Sequence, residues 1–358
     1  MDTSRRCLVP ALGLALSTLA CGDDGAAADH GASDDPHAAD DDGAQESGDA
    51  GDTTHATSEG SSACDVVPPA TWEAAGWDAS TAEALALRAG LDALVGEMRR
   101  VEQGKSTLDD VQALVDLYEA GAPSVSSIAT SGHAPVVQEA FAELVEIAAA
   151  GPRDLVDDDG QWTPGPAGGI YGTDLRGIDE GGLEVRQLVD KGLFAGGLYG
   201  YAAGLTTGTI DEATIDALAA AWGGNSTLDP EGELTDSASY THQMGFHADV
   251  VAALVAAKAY SADAECEAER DEALRTFFRT WELAMFARLV YYSNVGVTAV
   301  ETATIDDDFA GALHEQSEGL GLALGFYGLA HPETGPLAGA GRVATDAQLD
   351  AIAAALGV

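Results

Sequence analysis

Apolar residues recur at steps of three and four along most of the chain beyond residue 66, and the alternation typical of strands is nearly absent. A period of 3.6 residues predicts amphipathic helices with one face toward a core. Clusters of Gly, Pro and Asp interrupt the apolar segments and predict turns between helices. The pattern predicts helices over residues 82–100, 107–120, 134–150, 183–205, 211–222, 237–260, 264–292, 307–330 and 345–356.

Two connections between these helices are long. Residues 157–182 contain three consecutive Asp and many Gly, and residues 294–306 form the second long connection. The remaining connections are short, which favours antiparallel neighbouring helices. We therefore predict an all-α fold of paired antiparallel helical bundles over residues 66–358, with sub-bundles over 66–151 and 170–358.

The N-terminal segment is typical of a bacterial lipoprotein. Arg5 and Arg6 precede an apolar run over residues 8–19, which is too short to cross a bilayer as a mature helix and ends directly before Cys21. Cleavage before Cys21 would leave its thiol for a lipid. We predict a signal peptide over 1–20, lipidation of Cys21, attachment to a membrane through that lipid and a location in the bacterial cell envelope. A conventionally cleaved secreted protein is the alternative.

The charge is strongly unbalanced. Lys and Arg number 16 against 60 Asp and Glu, a formal net charge of −44. Such a charge repels nucleic acid, so we expect no nucleic-acid partner. The stretch between Arg6 and Arg88 has no Lys or Arg and is rich in carboxylates, which predicts a disordered acidic linker over 21–65.

The four cysteines fall into two groups. Cys7 would leave with the signal peptide and Cys21 is the predicted lipid site, so Cys64 and Cys266 remain. An oxidising compartment would join them in a disulfide, provided that the fold brings them together. No Cys-x-x-Cys occurs, and the fingerprints of serine hydrolases, zinc peptidases, phosphate loops and dinucleotide binding are also missing.

The sharpest local pattern for chemistry lies in the helix predicted over 307–330. His314 and Glu318 are one turn apart, and Gly321 and Gly325 continue the same face. Glycines at these positions lower helix stability unless another helix comes close, so we expect a tight seam there. A His and a carboxylate at this spacing can hold a divalent ion or act as an acid/base pair. A hydrogen-bonded His–Glu pair in the core is the alternative.

Three other predicted helices carry polar stripes among apolar residues. The stripes consist of Glu184, Gln187 and Lys191, of His242 and Asp249, and of Arg275, Arg279 and Glu282. Buried charges need partners, so these stripes are expected to meet across the bundle interior. For the stripe that carries the two arginines, a solvent-exposed face is an equal alternative.

Three stretches resemble the imelysin-like proteins, most closely a branch found in bacterial envelopes. Residues 183–193 are similar to a Glu-x-x-Gln-x-x-x-Lys-Gly-Leu helix, residues 278–294 to a Trp-Glu helix that ends in Tyr-x-Asn, and residues 314–319 to a His-x-x-Ser-Glu-Gly element. The resemblance implies paired helical bundles, an envelope location, a link to iron uptake and a debated peptidase activity.

Together these patterns predict an envelope-anchored lipoprotein that binds iron, another divalent metal or a small ligand in an interhelical cleft, with no catalytic residue. The predicted ligand set is Glu184, His242, Glu282, His314 and Glu318. One alternative is a metallopeptidase of the same fold. The other is a helical scaffold that docks an envelope protein and whose polar stripes are structural.

Overall fold

The structure is a computed structural model that describes residues 64–106, 111–154, 168–232, 234–303 and 306–356. The predicted signal peptide, the lipidation of Cys21 and nearly all of the acidic linker lie outside the described residues. The chain divides into two units at residue 61, and everything described belongs to the second, Ser62–Val358.

The described fold is mostly helical, in agreement with the predicted all-α class. The helices are α1 (Trp77–Ser80), α2 (Ala82–Glu102), α3 (Val111–Glu119), α4 (Ala134–Ala150), α5 (Val185–Gly192), α6 (Leu198–Leu205), α7 (Glu212–Trp222), α8 (Asp236–Gln243), α9 (His247–Ser261), α10 (Glu267–Thr302), α11 (Asp306–Phe326) and α12 (Asp346–Ala355). Leu193–Gly197 form a π-helical turn between α5 and α6, and short 3-10 turns cover Val125–Ile128 and Ala264–Cys266.

A small hairpin occupies part of the segment that the sequence predicts as a loop. Strands β1 (Gly169–Tyr171) and β2 (Arg176–Ile178) pair antiparallel, with Ile170 opposite Gly177. Tyr171 and Ile178 are fully buried in a small apolar cluster with Leu313 of α11. The hairpin packs against both α4 and α11. Strands of three residues are too short to show a period in the sequence.

Two helix boundaries differ from the prediction. Residues 294–302 are helical within α10, because Gly296 lets its backbone approach α11, where an added Cβ would lie 3.2 Å from the Gln316 nitrogen. The helix predicted over 237–260 is broken between α8 and α9 at Gly245, whose φ of +79° lies in the left-handed region.

One main apolar core extends through the described unit. Leu94 of α2 and Phe141 of α4 belong to the same cluster as Phe194 and Trp281, which lie beyond the hairpin. The helices on the two sides of residues 151–170 therefore share a core.

Two further features concern how the unit is tied together and how it could meet a membrane. Cys64 and Cys266 are joined by a disulfide across a sequence separation of 202 residues, with 4.7 Å between the Cα atoms. Within the described ranges, no helix has the length and apolar character that a membrane crossing requires.

Candidate functional site

The site is built on the seam where α11 crosses α5. A Cβ added at Gly321 would lie 2.5 Å from the carbonyl oxygen of Gln187, and one added at Gly325 would collide with the backbone of Gly192. The close helix approach predicted from these glycines is therefore confirmed. It brings the polar side chains of the two helices into one buried group.

That group also takes in side chains from α8 and α10, and we call it the polar centre. It consists of Glu184, Lys191, Tyr240, Arg288, Tyr292, His314 and Glu318. Most of its members lie on α5, α10 and α11, in the stretches that the sequence analysis singles out. α11 packs directly against both α5 and α10, so sequence segments far apart in the chain form one site.

Glu184 is the N-cap residue of α5, and its backbone is held by α11. Its N–H donates to the Ser317 hydroxyl oxygen at 2.8 Å, and that hydroxyl donates to the Leu313 carbonyl at 2.6 Å. Ser317 is fully buried, so the bond fixes the start of α5 against α11. Sequence reasoning passed over this role, although Ser317 stands inside the His-x-x-Ser-Glu element.

The carboxylate of Glu184 is fully buried and accepts from three basic side chains. His314 Nδ1 lies 2.8 Å away, Arg186 Nη2 2.5 Å and Arg176 Nη1 3.3 Å. Burial alone would raise the pKa of Glu184, but the His314 hydrogen bond and the two guanidinium charges outweigh it and hold the pKa well below its ordinary value. Arg186 also donates to buried Glu102 at 2.9 Å, which ties α5 to α2.

Glu318 forms the second half of the centre. Lys191 Nζ lies 2.8 Å from its Oε1, and His314 Nε2 lies 3.7 Å from the same oxygen. Burial opposes ionisation, but Lys191, His314 and a hydrogen bond from Tyr292 together lower the pKa of Glu318. His314 thus stands between two carboxylates that remain ionised.

Tyrosines and an arginine close the centre on the side of α8 and α10. The hydroxyls of Tyr240 and Tyr292 lie 2.7 Å apart, and Arg288 Nη2 donates to the Tyr292 hydroxyl at 2.9 Å. Burial raises the pKa of both tyrosines above the ordinary 10.0, so both hydroxyls keep their protons at neutral pH. Neither tyrosine nor Arg288 is in the predicted ligand set, although two of the three lie in the stretch over 278–294.

His242 belongs to the predicted ligand set but lies outside the polar centre. It is exposed near the end of α8, where its ring centroid is 5.7 Å from that of His247. Asp249, which shares a predicted polar stripe with His242, is exposed on α9. The left-handed turn at Gly245 separates the two helices, so His242 and Asp249 do not share a continuous helical face. Tyr240 of α8 faces the polar centre, and His242, two residues later, lies on nearly the opposite side of that helix and outside the centre.

Glu282 is buried but belongs to a different group. It precedes Tyr292 on α10 by ten residues, or roughly 15 Å of helix axis. Its Oε1 accepts from Arg342 at 3.4 Å and its Oε2 from the Val343 backbone at 3.0 Å. Arg275 and Arg279, the other two residues of that predicted stripe, are exposed to solvent.

The donors of the polar centre do not fit a metal ion. A divalent ion between His314, Glu184 and Glu318 would share their oxygens with Arg186, Arg176 and Lys191, whose charges would repel it. In the part of the chain that the structure describes, no three His, Cys, Asp or Glu side chains are arranged to hold a metal. The carboxylates of the site are instead held by protein cations.

Comparisons with protein-family models, with curated proteins and with solved structures find no match for this chain.

Proposed function

We propose that the protein is an envelope lipoprotein whose helical unit binds a small organic ligand at the polar centre without catalysing a reaction. The observation that carries this proposal is the assembly of ionised and hydroxyl side chains from four helices at one buried place, because groups with perturbed pKa values concentrate at functional sites. The relation to imelysin-like proteins is part of the proposal and rests on the three sequence stretches.

The backbone beside the centre supports a binding role. The π-helical turn Leu193–Gly197 begins two residues after Lys191 and lies against α11. Single π-turns inside helices are frequent at functional sites, since they re-aim the side chains that follow. Here the turn directs Phe194 toward Tyr240, with 5.3 Å between their ring centroids.

A membrane anchor completes the proposal and rests on the sequence around Cys21. Metabolic labelling with an acyl chain is expected to mark the native protein and to fail in Cys21→Ser. Labelling that persists in this variant would reject the anchor while leaving the ligand site open to its own test.

Docking of an envelope protein is a second candidate function, favoured by one surface. Val290, Tyr291 and Val297 of α10 are 44%, 41% and 44% exposed. They account for three of the five exposed large hydrophobic residues among those the structure describes, within eight residues of one helix. Such clustering is typical of contact surfaces.

Native mass spectrometry of the full chain purified from cells separates these functions. We expect a bound organic compound that leaves on denaturation, and no cleavage of casein. Retention of iron or zinc that is lost in Glu318→Ala would establish the metal site instead, and casein cleavage lost in that variant would establish the peptidase. A chain that carries neither compound nor metal would favour the docking function.

A further inference from the structure

Arg288 differs from the other buried basic residues of the described chain. Arg186 and Lys258, the other two, have carboxylate oxygens within 2.9 Å and 2.5 Å of their nitrogens. Arg288 is 8% exposed, and no carboxylate of the described residues lies within ion-pair distance of it. Its Nε is inaccessible and has no hydrogen-bond partner. A buried guanidinium without a negative partner lowers the stability of the folded protein. The formal charge of the chain is −44, so carboxylates outnumber cations and could have supplied such a partner.

The surroundings of Arg288 are aromatic. Its guanidinium carbon lies 4.7 Å from the ring centroid of Tyr240, 4.5 Å from that of Tyr291 and 4.3 Å from that of Tyr292. Three π faces stabilise the charge only partly, because they supply no full negative charge. Glu318 acts on Arg288 through its charge without forming an ion pair with it, because its carboxylate is held by Lys191 at 2.8 Å.

One wall of this aromatic enclosure faces solvent. Tyr240 and Tyr292 are buried, whereas Tyr291, three residues after Arg288 on the same face of α10, is 41% exposed. A ligand that reaches Arg288 past Tyr291 therefore meets a cation inside and an aromatic ring at the entrance.

We propose that Arg288 and its three tyrosines form a receptor site for the carboxylate of a small organic acid with an apolar body. A guanidinium presents parallel N–H groups that match the two oxygens of a carboxylate. The apolar body would rest on the ring of Tyr291, the exposed one of the three tyrosines. This inference rests on the proposed function, since it names the ligand class of the polar centre.

Calorimetric titration of the full chain with benzoate, benzyl alcohol and benzylamine tests the proposal. Benzoate is expected to bind saturably, and the alcohol and the amine are not. Arg288→Met keeps a long side chain against the tyrosines and should weaken benzoate binding roughly 10- to 100-fold, the range for hydrogen bonds to a charged group. Arg288→Lys keeps the charge but loses the paired N–H groups, and should weaken it about tenfold.

Arg279→Met is the matched control. It removes the same charge from an exposed position on the same helix and should leave benzoate binding unchanged. Circular dichroism verifies that each variant is folded. The carboxylate proposal fails if benzoate binds equally to wild type and both Arg288 variants. It also fails if the alcohol or the amine binds in place of benzoate. Either result would still agree with the proposed binding of a small ligand. If none of the three binds, the proposal also fails, and a chain without a co-purified compound would then reject the proposed function as well.

Discussion

Glu184 shows how a single buried charge is stabilised in this fold. Its carboxylate is inaccessible to solvent, yet it stays ionised because His314, Arg186 and Arg176 all donate to it. Removing one partner of such a buried pair leaves the others uncompensated, and the loss exceeds the net contribution of the intact pair.

Substituting Glu184→Gln should therefore lower the free energy of unfolding by about 2–4 kcal/mol, since His314, Arg186 and Arg176 all lose the buried carboxylate that they share, although each keeps a second carboxylate within ion-pair distance. Urea denaturation followed by circular dichroism measures the change. The control is Glu267→Gln, which breaks the pair with Arg270 through a side chain that is 71% exposed and should cost less than about 0.5 kcal/mol. Equal losses in the two variants would contradict a special role for Glu184.

His133 makes the stability of the folded protein depend on pH. It is fully buried, its Nε2 lies 2.8 Å from the Leu188 carbonyl oxygen, and burial lowers its pKa from 6.5 to about 4 despite that hydrogen bond. Between these two values the unfolded chain binds the proton and the folded chain does not, so stability falls as pH drops from 6.5 toward 4.

The variant His133→Gln retains an N–H for the Leu188 carbonyl but cannot take up a proton. Its stability should fall less steeply between pH 6.5 and 4 than that of wild type. The difference should approach roughly 3 kcal/mol at the lower pH, at about 1.4 kcal/mol for each pKa unit. Unfolding measured across this range tests it, with exposed His242→Gln as the control. Parallel curves for wild type and His133→Gln would refute the assignment.

At the scale of elements, backbone contact between α5 and α11 sets the geometry of the polar centre. Gly325 of α11 lies against Gly192 at the end of α5 and against Gly196 of the π-helical turn. Side chains at these positions would push the helices apart and move Lys191 away from Glu318. The glycines therefore act on the site without any polar group of their own.

Gly325→Ala should lower stability by more than about 2 kcal/mol, because the added methyl collides with backbone that cannot move aside. Gly311→Ala is made in the same helix at a position with open space around it, and should raise stability by about 0.5–1 kcal/mol through helix propensity. Thermal unfolding of both proteins gives the comparison. A loss of similar size in both would mean that propensity, and not the seam, decides the outcome.

The sequence predicts the features that follow from helical periodicity and misses those that turns and helix packing decide. The helices, and the face that His314 and Glu318 share with the glycines, follow from periodicity and could be predicted. Arg176 reaches Glu184 because the turn after β2 brings Glu184 back beside Ile178, and no helical spacing encodes that turn. Tyr240, and not His242, faces the centre from α8, because the packing of α8 against α10 decides which side of that helix is buried.

At the scale of the whole molecule, the distribution of the few cations matters. The chain has 16 Lys and Arg. Four of them, Arg176, Arg186, Lys191 and Arg288, lie at or beside the polar centre. Cations that neutralise interior carboxylates cannot neutralise the surface, where carboxylates are left in excess and repel one another.

Salt should accordingly stabilise the folded protein. Raising NaCl from about 10 mM to 0.5 M shortens the Debye length from roughly 30 Å to well under 8 Å, which screens surface repulsion and spares the buried pairs. We expect the Tm to rise by about 2–5 °C. Choline chloride should act like NaCl, because screening needs no particular cation. A falling Tm, or a rise with only one of the salts, would contradict this.

The account of the polar centre requires that Lys191 and Glu318 stabilise each other as a protein ion pair. A double-mutant cycle of Lys191→Met, Glu318→Gln and both together, measured by urea unfolding with and without a chelator, determines their coupling free energy. We predict a coupling of about 2 kcal/mol that the chelator does not change, since each single variant leaves the other buried charge without its shortest ion pair. A coupling near zero, together with a wild type that zinc stabilises and the chelator weakens, would show instead that Glu318 serves a metal.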